Sequence, residues 1–162
     1  MQRFVPQGFS TPETEAGRMA LSLPECLRWD YDDPFPKSFI LCGDVFHYWH
    51  PGDSEGHREE IEARDQPGLD ILLLDIAELR SRYSIVESER SAEQVKIVLR
   101  PLAPNEFASE ASLILDASLN RLLGLQYLDL DGNRTSFEIF DYRPGLEAGT
   151  FNPPEEVSWL EY

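Results

Sequence analysis

The sequence predicts an α+β domain: an antiparallel sheet interrupted by one helical insertion. Three observations carry this. Apolar and polar residues alternate through much of the N-terminal half; one stretch, Leu69 to Tyr83, has the spacing of an amphipathic helix; and from Val95 short apolar runs return in the rhythm of a meander. The 162 residues are the size of one domain, read as spanning 1–162, and 41% hydrophobic residues supply its core.

Between Leu21 and Tyr31 the odd positions Leu21, Leu23, Leu27, Trp29 and Tyr31 are apolar, while Ser22, Arg28 and Asp30 are polar, which predicts a strand with one buried face. Asp32-Asp33-Pro34-Phe35-Pro36 is a turn, and Lys37 to Cys42 is the antiparallel partner. With Tyr31 opposite Lys37, Trp29 falls opposite Phe39, Leu27 opposite Leu41 and Cys26 opposite Cys42. The only two cysteines become neighbours, either as separate thiols or as a disulfide, which needs the closer type of cross-strand pair. Gly43-Asp44 turns the chain into an aromatic strand, Val45 to Trp49, and the polar residues 52–66 read as a mobile loop.

Pro67-Gly68 opens the helical insertion, residues 67–83. Leu69, Leu72, Leu73, Ile76, Leu79 and Tyr83 form one apolar stripe, with Ile71 and Leu74 off it. That surplus is either covered by a neighbouring segment or faces a ligand. Strands follow at Val95 to Arg100, Leu113 to Asp116, Leu122 to Leu130 and Arg134 to Tyr142, with Asp131-Gly132 as a strong hairpin signal. Asn152-Pro153-Pro154 breaks regular structure before a last strand, Val157 to Tyr162.

Lys and Arg total 14 against 30 Asp and Glu, a formal charge of −16. This argues against nucleic-acid binding, which depends on neutralising phosphates. The surplus serves solubility, or keeps the protein from adhering to anionic membranes. No stretch is apolar enough for permanent membrane insertion: Leu69 to Leu79 is cut by Asp70, Asp75 and Glu78. Met1 to Pro6 lacks the apolar core of an export signal, so the expectation is a cytoplasmic chain or an N-terminus that has been cut or mis-assigned.

Catalytic and metal chemistry find no pattern. His47 and His50 fall on opposite faces of a strand, and Asp129 to Asn133 has its glycine too early for a calcium loop. No nucleophile elbow, phosphate loop or dinucleotide fingerprint occurs. The expectation is a non-enzyme with no catalytic residues, no cofactor and no metal.

The run from Gly17 through Pro24, Arg28-Trp29 and Tyr31 to Pro34 resembles the G-x-L…P-x-x-[F/L]-R-W-x-Y-x-x-P block of the outer-membrane lipoprotein carriers, the LolA/LolB-like family. So do the Pro-led, Leu-rich helix, the strand ending Arg100-Pro101, the D-x-x-G hairpin at Asp129 to Gly132, and Phe151-Asn152-Pro153-Pro154-Glu155-Glu156-Val157. Together these span residues 4 to 160. The resemblance implies an N-terminally shortened member with an antiparallel half-open β-barrel and a helical lid over residues 67–83. It implies a monomeric periplasmic carrier of acylated lipoproteins or lipids, served by an inner-membrane release complex and an outer-membrane acceptor. The alternative is an envelope lipid-sensing or regulatory domain on the same fold. The cargo-binding candidates are Leu21, Leu27, Trp29, Phe39 and Leu41 on the sheet and Ile71, Leu72, Leu74 and Ile76 on the lid. Leu23 stands where members commonly carry an arginine before the proline, so lid control by that arginine is not expected to carry over.

Overall fold

The computed structural model describes residues 1–61, 70–103 and 108–161. Twelve strands form one open sheet: β1 (Gln2–Val5), β2 (Glu13–Ser22), β3 (Cys26–Asp33), β4 (Lys37–Cys42), β5 (Val45–Trp49), β6 (Glu55–Glu60), β7 (Tyr83–Arg90), β8 (Gln94–Pro101), β9 (Ala108–Asp116), β10 (Leu122–Asp129), β11 (Arg134–Glu138) and β12 (Ser158–Glu161). The order is β12-β6-β5-β4-β3-β2-β1-β11-β10-β9-β8-β7, antiparallel except for the β6–β12 pair. Two short helices, α1 (Asp70–Leu73) and α2 (Ile76–Arg82), lie in the connection between β6 and β7, which are near opposite ends of this order.

Period-two patterning gives the central strands two faces with different tasks. On the inner face Leu27 of β3 clusters with Leu122 and Leu125 of β10 and with Leu72 of α1. Four strand spacings separate β3 from β10, about 19 Å in a flat sheet, so the sheet curls around the helical segment. A second inner cluster joins Ile71, Leu74 and Tyr83 to Leu99 and Ala111. On the outer face Ile40 and Trp49 pack with Val157, Phe151 and Trp159 of the C-terminal segment.

Arg28 and Trp29 divide between these faces. Trp29 points inward, while the Arg28 guanidinium bonds Asp30, donates 2.9 Å to the Thr150 carbonyl and lies over the Trp49 ring. Arg28 thereby ties the C-terminal segment down. His47 is on the same outer face, edge-on to Trp159. Burial, with a contribution from Arg58, lowers its pKa from the ordinary histidine value. The native state therefore binds fewer protons than the unfolded chain. Stability from this site is full above about pH 6.5 and is lost as pH falls below it. The urea midpoint should fall over that range, and His47→Gln should flatten the fall.

The β3–β4 register is the one expected, with Tyr31 opposite Lys37, Leu27 opposite Leu41 and Cys26 opposite Cys42. The cysteines are disulfide-bonded, and their Cα atoms lie 4.3 Å apart, the close, non-hydrogen-bonded type of pair. Gly17, at a bulge in β2, permits the tight β2–β3 contact: a β-carbon there would lie 1.9 Å from the Asp30 carbonyl oxygen. Gly17→Ala should cost about 3 kcal/mol, read as a fall in urea midpoint.

Four expectations are corrected. Leu21 to Tyr31 is not one strand: Leu23, Pro24 and Glu25 form a turn between β2 and β3. Proline lacks the N–H that a continuous strand would use, and the odd-position pattern survives because both strands present the same inner face. Residues 55–60, within the expected mobile loop, form β6, whose pairing is made by backbone groups and needs no apolar side chains. The helix does not run unbroken to Tyr83. Asp75 caps α2 by accepting from the Glu78 N–H, while the Glu78 side chain accepts from the Asp75 N–H, and Tyr83 begins β7. This restart resets the helical phase, so Ile71 and Leu74, expected off the stripe, are buried, and Ile76, expected on it, is 69% exposed. Leu69 lies outside the described residues. Finally, β11 ends at Glu138 instead of Tyr142.

Candidate functional site

An apolar cleft of about 680 Å3 opens between the helical segment, the β2–β3 turn and the β9–β10 hairpin. Its walls are Ile71, Leu72 and Leu74 on one side and Leu113, Leu115 and Leu122 on the other. These positions follow from two periodicities. Alternation along β9 sends Leu113 and Leu115 to the inner face, while the capping box at Asp75 turns the chain so that Leu74 points in. Around the mouth, Leu23, Ile76 and Leu119 are 42%, 69% and 51% exposed. Leucine and isoleucine in such numbers at a rim mark a surface that receives apolar matter.

Beyond the cleft, the inner face of β3, β4 and β5 carries a row of rings. Trp29 stacks on Phe39 at 5.1 Å and Phe39 on Tyr48 at 4.9 Å, with Phe46 5.7 Å from Phe39. All four are half-buried. The row is bounded at Tyr31, whose ring lies 4.7 Å from the Lys37 ammonium, itself 2.6 Å from Glu15. The Tyr31 hydroxyl donates to Gln2. Burial, aided by the Glu15 charge, raises the Tyr31 pKa, so the hydroxyl stays a neutral donor at physiological pH.

The nine candidate positions do not converge on one surface. Ile71, Leu72, Leu74 and Ile76 line the cleft. Leu27 and Leu41 are sealed at 0% exposure. Leu21 and Trp29 are half-buried in the Leu27–Leu72 cluster, and Phe39 lies in the aromatic row. Sequence reasoning missed Leu23, Leu113, Leu115, Leu119 and Leu122 as wall and rim. Leu113 and Leu115 were findable by alternation, whereas Leu119 belongs to a turn, where its positive φ of 62° directs the side chain. The histidines scatter: His47 faces outward, His57 pairs across from Tyr48 on the inner face, and His50 is exposed beyond β5.

An open antiparallel sheet curled around an apolar concavity, with a helical segment seated in it, defines a half-barrel. The chain belongs to the LolA family: the model of the outer membrane lipoprotein carrier protein LolA matches residues 2–153. It is 25% identical over 158 residues to the outer-membrane lipoprotein carrier protein of Chromohalobacter salexigens, covering 95% of this chain and 74% of that one. It is 28% identical over 144 residues to the carrier of Xylella fastidiosa, covering 86% and 67%. Among solved structures it is similar to a LolA superfamily protein from Nitrosomonas europaea, at 11% identity and a TM-score of 0.45, covering 94% and 87%.

Proposed function

We propose that this protein is a non-enzymatic periplasmic carrier that takes up the acyl chains of lipoproteins or lipids and shuttles them toward the outer membrane. The observation that carries the reading is the apolar cleft, whose 680 Å3 falls within the range of small-molecule sites, about 300–1,000 Å3. Family membership supports a lipoprotein-carrier role and a periplasmic setting.

The energetics suit a carrier. Each buried methylene contributes about 0.8 kcal/mol, so ten contribute about 8 kcal/mol, near micromolar affinity before ordering costs. Binding is easy and release is the problem. The α1–α2 segment is the lid, and the break at Leu74 and Asp75 is its hinge, because that is where the helical hydrogen bonding restarts. With Leu23 apolar at the rim, the lid edge is held by leucine and isoleucine contacts that cargo displaces. The Cys26–Cys42 disulfide suits an oxidising compartment. The partners are an inner-membrane release complex and an outer-membrane acceptor. The protein works as a monomer of one domain, without cofactor or metal.

Native mass spectrometry with lipid extraction tests this. Co-purifying acyl lipid, or stoichiometric uptake of a fluorescent fatty acid, is expected. A protein that emerges empty and takes up no fatty acid defeats the reading.

A further inference from the structure

A second cavity, about 920 Å3, interrupts the sheet itself. Strand β1 pairs with β2 only from Gln2 opposite Glu15 to Phe4 opposite Glu13, whereas β2 runs on to Ser22. Across from Gly17–Leu21 stand residues 137–142, and Met1 forms the floor of the opening, its N–H and C=O paired with Glu138. The sheet is continuous below this level and split above it.

Both lips present strand backbone to the gap. The 4.3 Å Cα separation makes Cys26–Cys42 a non-hydrogen-bonded pair, and the Gly43 N–H bond to the Glu25 carbonyl agrees with that phase. Alternation then directs the polar groups of Cys26, Arg28 and Asp30 toward β2, where they meet Ser22, Ala20 and Arg18. The intervening residues of β2, Met19 and Leu21, point their N–H and C=O groups into the opening. Opposite, Glu138 bonds Met1 and Ile139 bonds Leu123, so the next residue, Phe140, turns its N–H to the gap.

The dimensions fit one strand. Five extended residues occupy about 17 Å by 4.8 Å by 10 Å, roughly 800 Å3. The two sides of the slot differ in chemistry. Inward lie Met19, Leu21, Trp29 and Phe137; outward lie Arg18 and Asp30. Phe140 and Leu146, also lining it, are 64% and 51% exposed.

We propose that this slot receives an extended peptide segment of alternating apolar and polar residues, which completes the sheet as an inserted strand, and that the segment is the polypeptide adjoining the acyl group of the cargo. This rests on the carrier reading. Leu21 and Trp29 border the slot and also belong to the cluster containing Leu72 and Leu122, which line the cleft, so acyl chains in the cleft leave their attached peptide beside the slot. The arrangement reads the cargo's backbone and its alternation, not its particular side chains.

The test uses three probes on the full chain: a fluorescent fatty acid, an N-palmitoylated seven-residue peptide of alternating valine and serine, and the same lipopeptide N-methylated at alternate residues. The lipopeptide should bind at least tenfold more tightly than the fatty acid and slow amide exchange at Met19, Leu21 and Phe140, and N-methylation should abolish both effects. Equal binding of fatty acid and lipopeptide, with no slowed exchange, overturns the slot and leaves the carrier reading standing. Tight binding and protection by a non-acylated peptide, with no fatty-acid uptake, overturns the acylated cargo and the carrier reading together. Concentration-dependent protection of these amides without any peptide shows a second copy in the slot and overturns the proposal.

Discussion

Leu72→Asp should abolish fatty-acid uptake. Leu72 is 7% exposed, lines the cleft, and packs in one cluster with Leu27, Leu122 and Leu125. A carboxylate there either costs several kcal/mol or protonates, and in both cases the cleft loses its apolar wall. The same substitution destabilises the fold, so it is paired with Ile76→Asp. At 69% exposure, Ile76 contributes little to folding, and its replacement should leave the urea midpoint within about 0.5 kcal/mol. It does line the cleft mouth, and losing that contact should weaken fatty-acid affinity about tenfold, from the 1–2 kcal/mol a partly buried side chain contributes. Full uptake by both variants places the acyl site elsewhere, and full uptake by Ile76→Asp alone removes the rim from it. The readouts are fluorescent fatty-acid titration beside urea unfolding.

Replacing both cysteines, Cys26→Ser with Cys42→Ser, should lower stability by about 3 kcal/mol. The bridge closes a loop with a sequence separation of 16, and releasing a loop of that length restores about that much chain entropy to the unfolded state. For a chain of this size the melting temperature should drop by about 10 °C. Uptake of fatty acid by the folded fraction should be unchanged, because Cys42 packs on the outer face with Ile40 and Trp49, away from the cleft. Lost uptake in protein shown to be folded would mean that the outer face sets the shape of the concavity.

Particular residues show where reading the sequence succeeds and where it stops. The β3–β4 register came from a turn of defined residues and an alternation that admits one inward face, and a one-residue slip would have turned Leu27 and Leu41 outward. The motif order likewise pointed to the family that the family model matches over residues 2–153. Strands β6 and β7 were not legible. Glu55–Glu60 is almost wholly polar, and most of Tyr83–Arg90 is exposed, so neither carries an apolar rhythm. They exist because β5 and β8 offer them backbone partners.

The helical insertion failed in a different way. Its apolar residues were recognised, but the inward set depends on where helical hydrogen bonding restarts, and Asp75 does that in mid-pattern. The cleft was legible only in part for the same reason: its far wall comes from β9 and β10, whose distance from the helices in sequence says nothing of their distance in space.

The sequence by itself determined the one-faced strands, the pairing of the two cysteines' positions and the family, since each depends on local alternation, turn chemistry or ordered motifs. Only the tertiary structure decided that the sheet stays open, that α1 sits in its curl, that Ile76 stands at the rim while Ile71 is buried, and that a strand-wide slot separates β2 from residues 137–142. These outcomes follow from the accumulated twist and curl of twelve strands and from where each backbone finds a partner, quantities that no single segment contains.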